Sequence, residues 1–222
     1  MYSDDAIIGE AAGIAIGLIL LGSRNEQAIQ DLITYAHDTQ HEKIIRAIAV
    51  SLALIMYGAE EQADTLIEQL SREKDPILRY GAMYVIGMAF AGTGNTNAFK
   101  KLIKFSVSDV NDDVRRAALI NIGFLQIKNP EVLLENLKVI SLLSESYNPH
   151  VRYGAAMALG ISCAGTSFTQ AYNILQPLFA DPNYLVRQAA FIASGLIFSQ
   201  CTNSQEPKVN KEKISISKLK KL

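Results

Sequence analysis

Apolar residues recur along this chain at intervals of three and four, the period of a helix with one buried face, and the helical blocks themselves recur. The segment Asn148–Gly165, NPHVRYGAAMALGISCAG, aligns without a gap on Asp75–Gly92, DPILRYGAMYVIGMAFAG. Asn111–Phe124, Asp181–Gly195, Lys43–Gly58 and Ile7–Gly22 match more loosely. The small residue that follows the Arg-x pair anchors the alignment. It is Ala11, Ala47, Gly81, Ala117, Gly154 and Ala189, at spacings of 36, 34, 36, 37 and 35 residues. Six residues further on, every copy again has a small residue: Gly17, Ala53, Gly87, Gly123, Gly160 and Gly195. Eleven residues on, four copies have glycine: Gly22, Gly58, Gly92 and Gly165.

Each feature has a physical reading. Asp75-Pro76, Asn148-Pro149 and Asp181-Pro182 predict an N-cap followed by proline at the first helical position. A glycine inside a helix costs up to about 1 kcal/mol against alanine, so its recurrence at one position needs a packing reason. Gly17, Gly87, Gly123, Gly160 and Gly195 are therefore expected where one helix approaches the next closely. The later glycines suit a left-handed C-cap. Second helices are expected at roughly Glu26–Ala36, Glu61–Arg72, Thr96–Phe105, Pro130–Leu143 and Phe168–Phe179, several with Ala followed by Leu or Ile on one face. One helical pair cannot bury both apolar faces, so the copies must stack. The expected fold is all-α: a curved, HEAT-like helical-pair solenoid with two layers of antiparallel helices. About six pairs fill residues 1–200, and residues 201–222 form a basic, mobile tail.

Arg79, Arg115, Arg152 and Arg187 share a single position, just before the anchoring small residue. Each follows an acid or amide expected at the cap: Asp75, Asp112, Asn148 and Asp181. Stacking should bring each guanidinium near a neighbouring copy's cap and carbonyl ends, as a ladder of charge-assisted hydrogen bonds.

Composition narrows the function classes. Hydrophobic residues make up 49% and aromatic residues only 8%, with no Trp, so small apolar residues must carry the packing. A net charge of −1 gives no global reason to expect nucleic acid. The charge is uneven, with about +5 in residues 207–222 and −6 in the rest, but a solvated terminus explains a short lysine-rich tail. Cys163 and Cys201 are far apart and form no metal or disulfide motif, and no Asn-x-Ser/Thr acceptor occurs, so the chain is expected to be intracellular. Ala6–Gly22 carries Gly9, Gly13 and Gly17 at the spacing of a membrane dimer helix, but it is short, contains Glu10 and follows Asp4 and Asp5. A buried soluble helix is expected there, and no membrane.

Several constellations fall short of chemistry. His37 and His41 are four apart but lack a third ligand. His41-Glu42 resembles one half of the sites in HEAT-like di-iron hydroxylases, yet the matching places are Asp75-Pro76, Asn111-Asp112 and Asn148-Pro149. Asp109, Asn111 and Asp113 start like a calcium loop, which then needs glycine and glutamate where Val114 and Ile120 stand. Gly92-Thr93-Gly94 lacks the lysine of a phosphate loop. No catalytic, cofactor-binding or metal-binding residue is expected.

The Asp/Asn-Pro-x-x-Arg-Tyr-Gly-Ala pattern resembles the proteasome/cyclosome repeat, a helical-pair repeat related to HEAT repeats. TQHEKIIRAIAVSLALIMYG, KDPILRYGAMYVIGMA, VSDVNDDVRRAALINIGF and LLSESYNPHVRYGAAMALGISCAGT resemble the larger of the repeat-bearing non-ATPase scaffold subunits of the proteasome regulatory particle, over about residues 3–200. The likeness includes an inter-repeat loop, SVSDVNDD, as well as the core pattern. It implies a non-enzymatic scaffold that organises other regulatory-particle subunits for ubiquitin-dependent degradation, in cytoplasm and nucleus. The chain starts where a family member is already inside its array and diverges after Pro207–Asn210, so a fragment is expected. Fragment ends without capping repeats should self-associate. Two alternatives stay open: a binding module of another large assembly such as the cyclosome, separable by co-purification, and a HEAT-like metalloenzyme, separable by metal analysis.

Overall fold

The computed structural model describes residues 5–127 and 130–200, the side chains of 130–134 excepted. The first helices of the copies, here the A helices, are α1 (Ala6–Ile19), α3 (Glu42–Ile55), α5 (Pro76–Ala89), α7 (Asp112–Leu125), α9 (Pro149–Ser162) and α11 (Tyr184–Ile197). Between them lie the B helices α2 (Glu26–Asp38), α4 (Asp64–Ser71), α6 (Thr96–Ser108), α8 (Pro130–Ser144) and α10 (Thr169–Leu175). The described chain is helical with no strand, in two layers. The basic tail expected at residues 201–222 lies outside the described residues.

Local chemistry sets the helix starts. The side chains of Asp75 and Asn148 accept the backbone N–H groups of Ile77 and His150 at 2.8 Å, with Pro76 and Pro149 at the first helical positions. Two expected caps are displaced. Asn111, not Asp112, caps α7, and Asn183, not Asp181, caps α11, where Pro182 stays outside the helix. In both places an Asp two residues before the cap accepts the cap's own N–H at 2.8 Å, Asp109 for Asn111 and Asp181 for Asn183. The acid builds the turn that enters the helix and the Asn ends it. Two B helices are also less regular than their periodicity suggests. A 3-10 turn at Glu60–Ala63 leads into α4, and α10 passes into 3-10 geometry at Gln176–Ala180, where Pro177 has no N–H to continue an α-helical ladder.

The core lies between the layers. Ile48, Leu52, Leu78, Met83, Leu119, Ile122 and Leu159 of the A helices are fully buried, with Leu70, Leu102 and Leu175 from the B side. Each such side chain contributes about 1.5–3 kcal/mol of transfer free energy. Successive A helices touch directly through Gly and Ala. Successive B helices stand apart: Lys101 of α6 reaches Asp64 of α4 at 2.8 Å across a groove of about 310 Å³ lined by Glu61, Phe90 and Asn97. Close spacing in one layer and wide spacing in the other bend the stack towards the A side.

Candidate functional site

The working surface of a stacked array is the set of contacts that fixes each copy on the next, and three kinds recur here. The first is steric. A Cβ built at Gly17 would lie 2.6 Å from Cα of Ser51, and one at Gly160 would lie 2.6 Å from Cα of Ala193. At Gly123 it would meet the Ala158 carbonyl oxygen at 3.0 Å, and at Gly87 it would collide with Oδ1 of Asn121. In every case the partner is four residues past the anchoring residue of the next A helix. The anchors Gly81 and Gly154 face back onto Ala49 and Leu119, two past the previous anchor, with Cβ distances of 2.8 and 2.7 Å. Both rows of contacts slip by two residues in the same direction, so the A helices run parallel. Gly195 departs from the expectation: no described atom lies within 4 Å of its Cβ position. It sits on α11, the last A helix described, so no described helix follows to meet it.

The second kind is made by the backbone. Gly22, Gly58, Gly92 and Gly165 adopt φ of +65 to +72°, a conformation open to glycine at little cost. Their N–H groups do more than end their own helices. They donate to the carbonyls of Leu54, Met88, Phe124 and Leu196 in the next A helix, at 2.9 to 3.1 Å. Arg24, Gly94 and Ser167 add donations to the following carbonyls, Ile55, Leu125 and Ile197, at 3.0 to 3.2 Å. Carbonyls left without partners at a helix C-terminus are thus satisfied by the preceding copy. Arg24, which takes φ of +57° here, also sends its guanidinium to the Gly58 carbonyl at 2.9 Å.

The third kind is ionic. Arg79 donates through Nε and Nη2 to Asp109 at 2.9 and 3.2 Å, and Arg152 donates likewise to Asp181 at 2.7 and 2.9 Å. Each acid belongs to the loop before the next A helix. The carbonyls each Arg binds lie in its own copy: Glu73 and Lys74 for Arg79, Ser146 and Tyr147 for Arg152. The neighbour thus supplies an acid set back from the cap, and the Arg's own loop supplies the carbonyls. Arg115 and Arg187 behave differently. Arg115 bonds to the Asp109 carbonyl at 3.1 Å and to Asp112 in its own copy, and Arg187 to the carbonyls of Asp181 and Pro182. The Arg152 hydrogen bonds hold the Asp181 carboxyl below the usual carboxylate range. Burial pushes Asp109 up, but the Arg79 hydrogen bond, the Asn111 N–H and the nearby guanidiniums outweigh it and hold Asp109 low.

A further cluster joins the A helices on the side away from the B layer. Asp113 of α7 accepts from Arg116 at 2.7 Å and from Arg46 of α3 at 3.3 Å, reaching across α5. Arg46 lies over the Tyr80 ring and Arg116 over the Tyr153 ring, 5.7 and 5.6 Å from the centroids. These four residues immediately precede the anchoring small residues, where the sequence alternates Arg, Tyr, Arg, Tyr. That alternation is the trace the cluster leaves in the sequence.

The residues weighed for chemistry are structural or dispersed. His37 lies 3.3 Å from Glu73, His41 stands at the start of α3 without a capping bond, and no three His, Cys, Asp or Glu among the described residues are placed to hold a metal ion. Burial pushes the Cys163 thiol up to about 11, away from thiolate chemistry. No described helix is long and apolar enough to cross a membrane.

Comparison with known proteins matches residues 11–45 to the proteasome/cyclosome repeat and residues 99–195 to HEAT repeats. The chain is 54% identical over 209 residues to 26S proteasome non-ATPase regulatory subunit 1 of Drosophila melanogaster, covering 94% of this chain and 20% of the relative. It is 51% identical to homolog A of that subunit in Arabidopsis thaliana, with the same coverage. It is 45% identical to 26S proteasome regulatory subunit rpn2 of Schizosaccharomyces pombe, covering 95% of this chain and 22% of the relative. The chain spans about a fifth of the length of these curated relatives. Among solved structures, a designed armadillo repeat protein aligns over 88% of this chain and 96% of its own, at 20% identity and a TM-score of 0.40.

Proposed function

The chain belongs to the 26S proteasome non-ATPase regulatory subunit 1 family over a stretch about a fifth of its relatives' length, and from that premise we propose that it is a non-enzymatic scaffold of the proteasome regulatory particle. In this reading it organises other subunits for ubiquitin-dependent degradation, in the cytoplasm and nucleus, through protein contacts and without nucleic acid, membrane or cofactor. Residues 1–200 act as one solenoid of about six helical pairs, with residues 201–222 a separate basic tail.

The observation that supports this reading most is the repeated coupling of A helices by side-chain packing, backbone hydrogen bonds and guanidinium–carboxylate pairs. A partner seated on one copy is held at a set orientation to a partner seated several copies away, because every described junction is close-packed and the α5–α7 and α9–α11 junctions cannot rotate without breaking all three kinds of contact. Unpaired apolar side chains on α1 and α11 make self-association of the chain alone part of the same proposal. Affinity purification of the tagged chain tests the function. Subunits of the proteasomal ATPase ring are the expected co-purifying proteins, and recovery of cyclosome subunits in their place would reverse the assignment.

A further inference from the structure

Eight residues before the anchoring small residue stand Asp109 ahead of α7 and Asp181 ahead of α11, but Ser146 ahead of α9. The turn is the same in all three. Asp109 Oδ1 and Asp181 Oδ1 accept the N–H of the residue two on at 2.8 Å, and Ser146 Oγ accepts the Asn148 N–H at 3.3 Å. The hydroxyl therefore stands in the place of a carboxylate oxygen.

The preceding copy registers the difference. In Arg79 and Arg152 the Nε–H donates to the acid of the next copy. In Arg115 the Nε is buried and has no hydrogen-bond partner, while Nη2 folds back onto Asp112. A buried donor left unpaired has given up water without a compensating bond, which is destabilising. A second guanidinium is adjacent, since Arg152 Nη1 donates to the carbonyl of Ser146 itself at 2.8 Å. The segment is open to a modifying enzyme: Ser146 is half-buried, Glu145 is exposed and Tyr147 is 91% exposed.

We propose that Ser146 is a phosphorylation site whose phosphate completes the missing rung between α7 and α9, accepting from Arg115 Nε. A protein kinase would supply a nucleoside triphosphate. The bond from Ser146 Oγ to the γ-phosphorus forms as the bond from that phosphorus to the bridging oxygen breaks. Nucleoside diphosphate leaves, and the hydroxyl proton passes to the kinase's base. The product carries about −1.5 to −2 charges and three acceptor oxygens, enough to keep the Asn148 N–H and also engage a guanidinium. Asp112 loses Arg115 but keeps its bond from Asn148 Nδ2 at 2.9 Å and its place in the first turn of α7, where a carboxylate is favoured.

The test uses the full chain with phosphoserine installed at position 146 during synthesis. Its melting temperature should rise by about 4 °C over the unmodified chain, and Arg115→Gln should abolish the rise. An unchanged or lowered melting temperature, or a rise that survives Arg115→Gln, overturns the proposal. If Arg115→Gln fails to fold, phosphorus NMR on the wild-type background decides. Contact with the guanidinium should pull the second phosphate pKa below its ordinary value of about 6, and an ordinary value overturns the contact. Mass spectrometry of the chain isolated from its own cells under phosphatase inhibition should place phosphate on Ser146, and a peptide found only unmodified there counts against it. Inorganic phosphate is the remaining probe. Arg115-dependent stabilisation of the unmodified chain by millimolar phosphate would assign the gap to a free anion instead.

Discussion

Arg152 and Asp181 are joined across the α9–α11 junction by two parallel hydrogen bonds of 2.7 and 2.9 Å, with 13% and 6% of their side chains exposed. Removing one partner would leave the other charge buried and uncompensated, a loss of about 3–5 kcal/mol. Arg152→Gln and Asp181→Asn should therefore each lower stability in denaturant unfolding by that order. Arg187→Gln should cost less, since Arg187 makes bonds only to carbonyls of its own copy. Equal losses for Arg152→Gln and Arg187→Gln would show that the carbonyl bonds, and not the ion pair, carry the rung.

The acids make the array sensitive to low pH. Asp181 is held low first by the Arg152 hydrogen bond, and Asp112 by those of Arg115 and Asn148. Asp109 is held low against its own burial. A carboxyl whose native pKa lies below its unfolded value, about 3.9 for Asp, stabilises fully above the unfolded value. It loses that contribution as pH falls through the lower native one. Melting temperature should be flat in this respect from pH 7 to about 5 and fall below about pH 4. The acid limb should be shallower in Asp181→Asn, and an equally steep limb would remove Asp181 from the list of acids responsible.

At Gly87 the space a Cβ would need is taken by the amide of Asn121, whose Nδ2 donates to the Ala117 carbonyl at 2.8 Å while Oδ1 faces the glycine. Gly160 faces backbone, Cα of Ala193. Larger residues at either place should cost about 1–3 kcal/mol through overpacking. The two sites should differ on rescue. Asn121→Ala should recover much of the loss in Gly87→Ala, because the obstacle is a side chain, whereas no partner substitution should rescue Gly160→Ala. Gly195→Ala should be neutral or stabilising, by up to about 1 kcal/mol. Thermal melts of the single and double variants would show these differences.

Period and punctuation made the helices legible. The anchor alignment places α1, α3, α5, α7, α9 and α11 correctly because mid-helix glycine is costly enough that its recurrence must mean close approach. The Arg position was legible too, but its partner was not. Asp109 and Asp181 end the preceding helical segments and are neither N-caps nor first-turn residues of the A helices, and a turn preceding an N-cap leaves little trace in periodicity. The second use of Gly92, as a donor to Phe124 of the next helix, depends on the slip between copies. Nothing within one copy encodes that slip. Arg24 and Ser167 at positive φ illustrate the same limit: their N–H groups bond to the next A helix, and that tertiary contact overrides the local preference that composition reveals.

Self-association of the 222-residue chain is the expected behaviour in isolation. On α1, Ile7, Leu18 and Ile19 are 67%, 59% and 79% exposed, and on α11 Phe191 and Ile192 are 40% and 52% exposed. Both sets lie on A helices, the layer in which every other described helix has a neighbour on each side. Ala15 and Gly195 stand at the two positions that meet elsewhere in the array, four and six past their anchors, and both are exposed. A second copy can therefore approach α11 with its α1 in the same parallel slip that joins α9 to α11. This contact is heterologous and does not close by symmetry, so it favours chains of copies over a discrete dimer. Light scattering at tens of micromolar should give a mass that grows with concentration. Ile19→Glu on α1 and Ile192→Glu on α11 should each return the chain to a monomer, because one damaged face is enough to stop head-to-tail growth. A wild-type monomer under those conditions would eliminate the prediction. A concentration-independent dimer abolished only by the α1 substitution would replace head-to-tail growth with pairing of like faces.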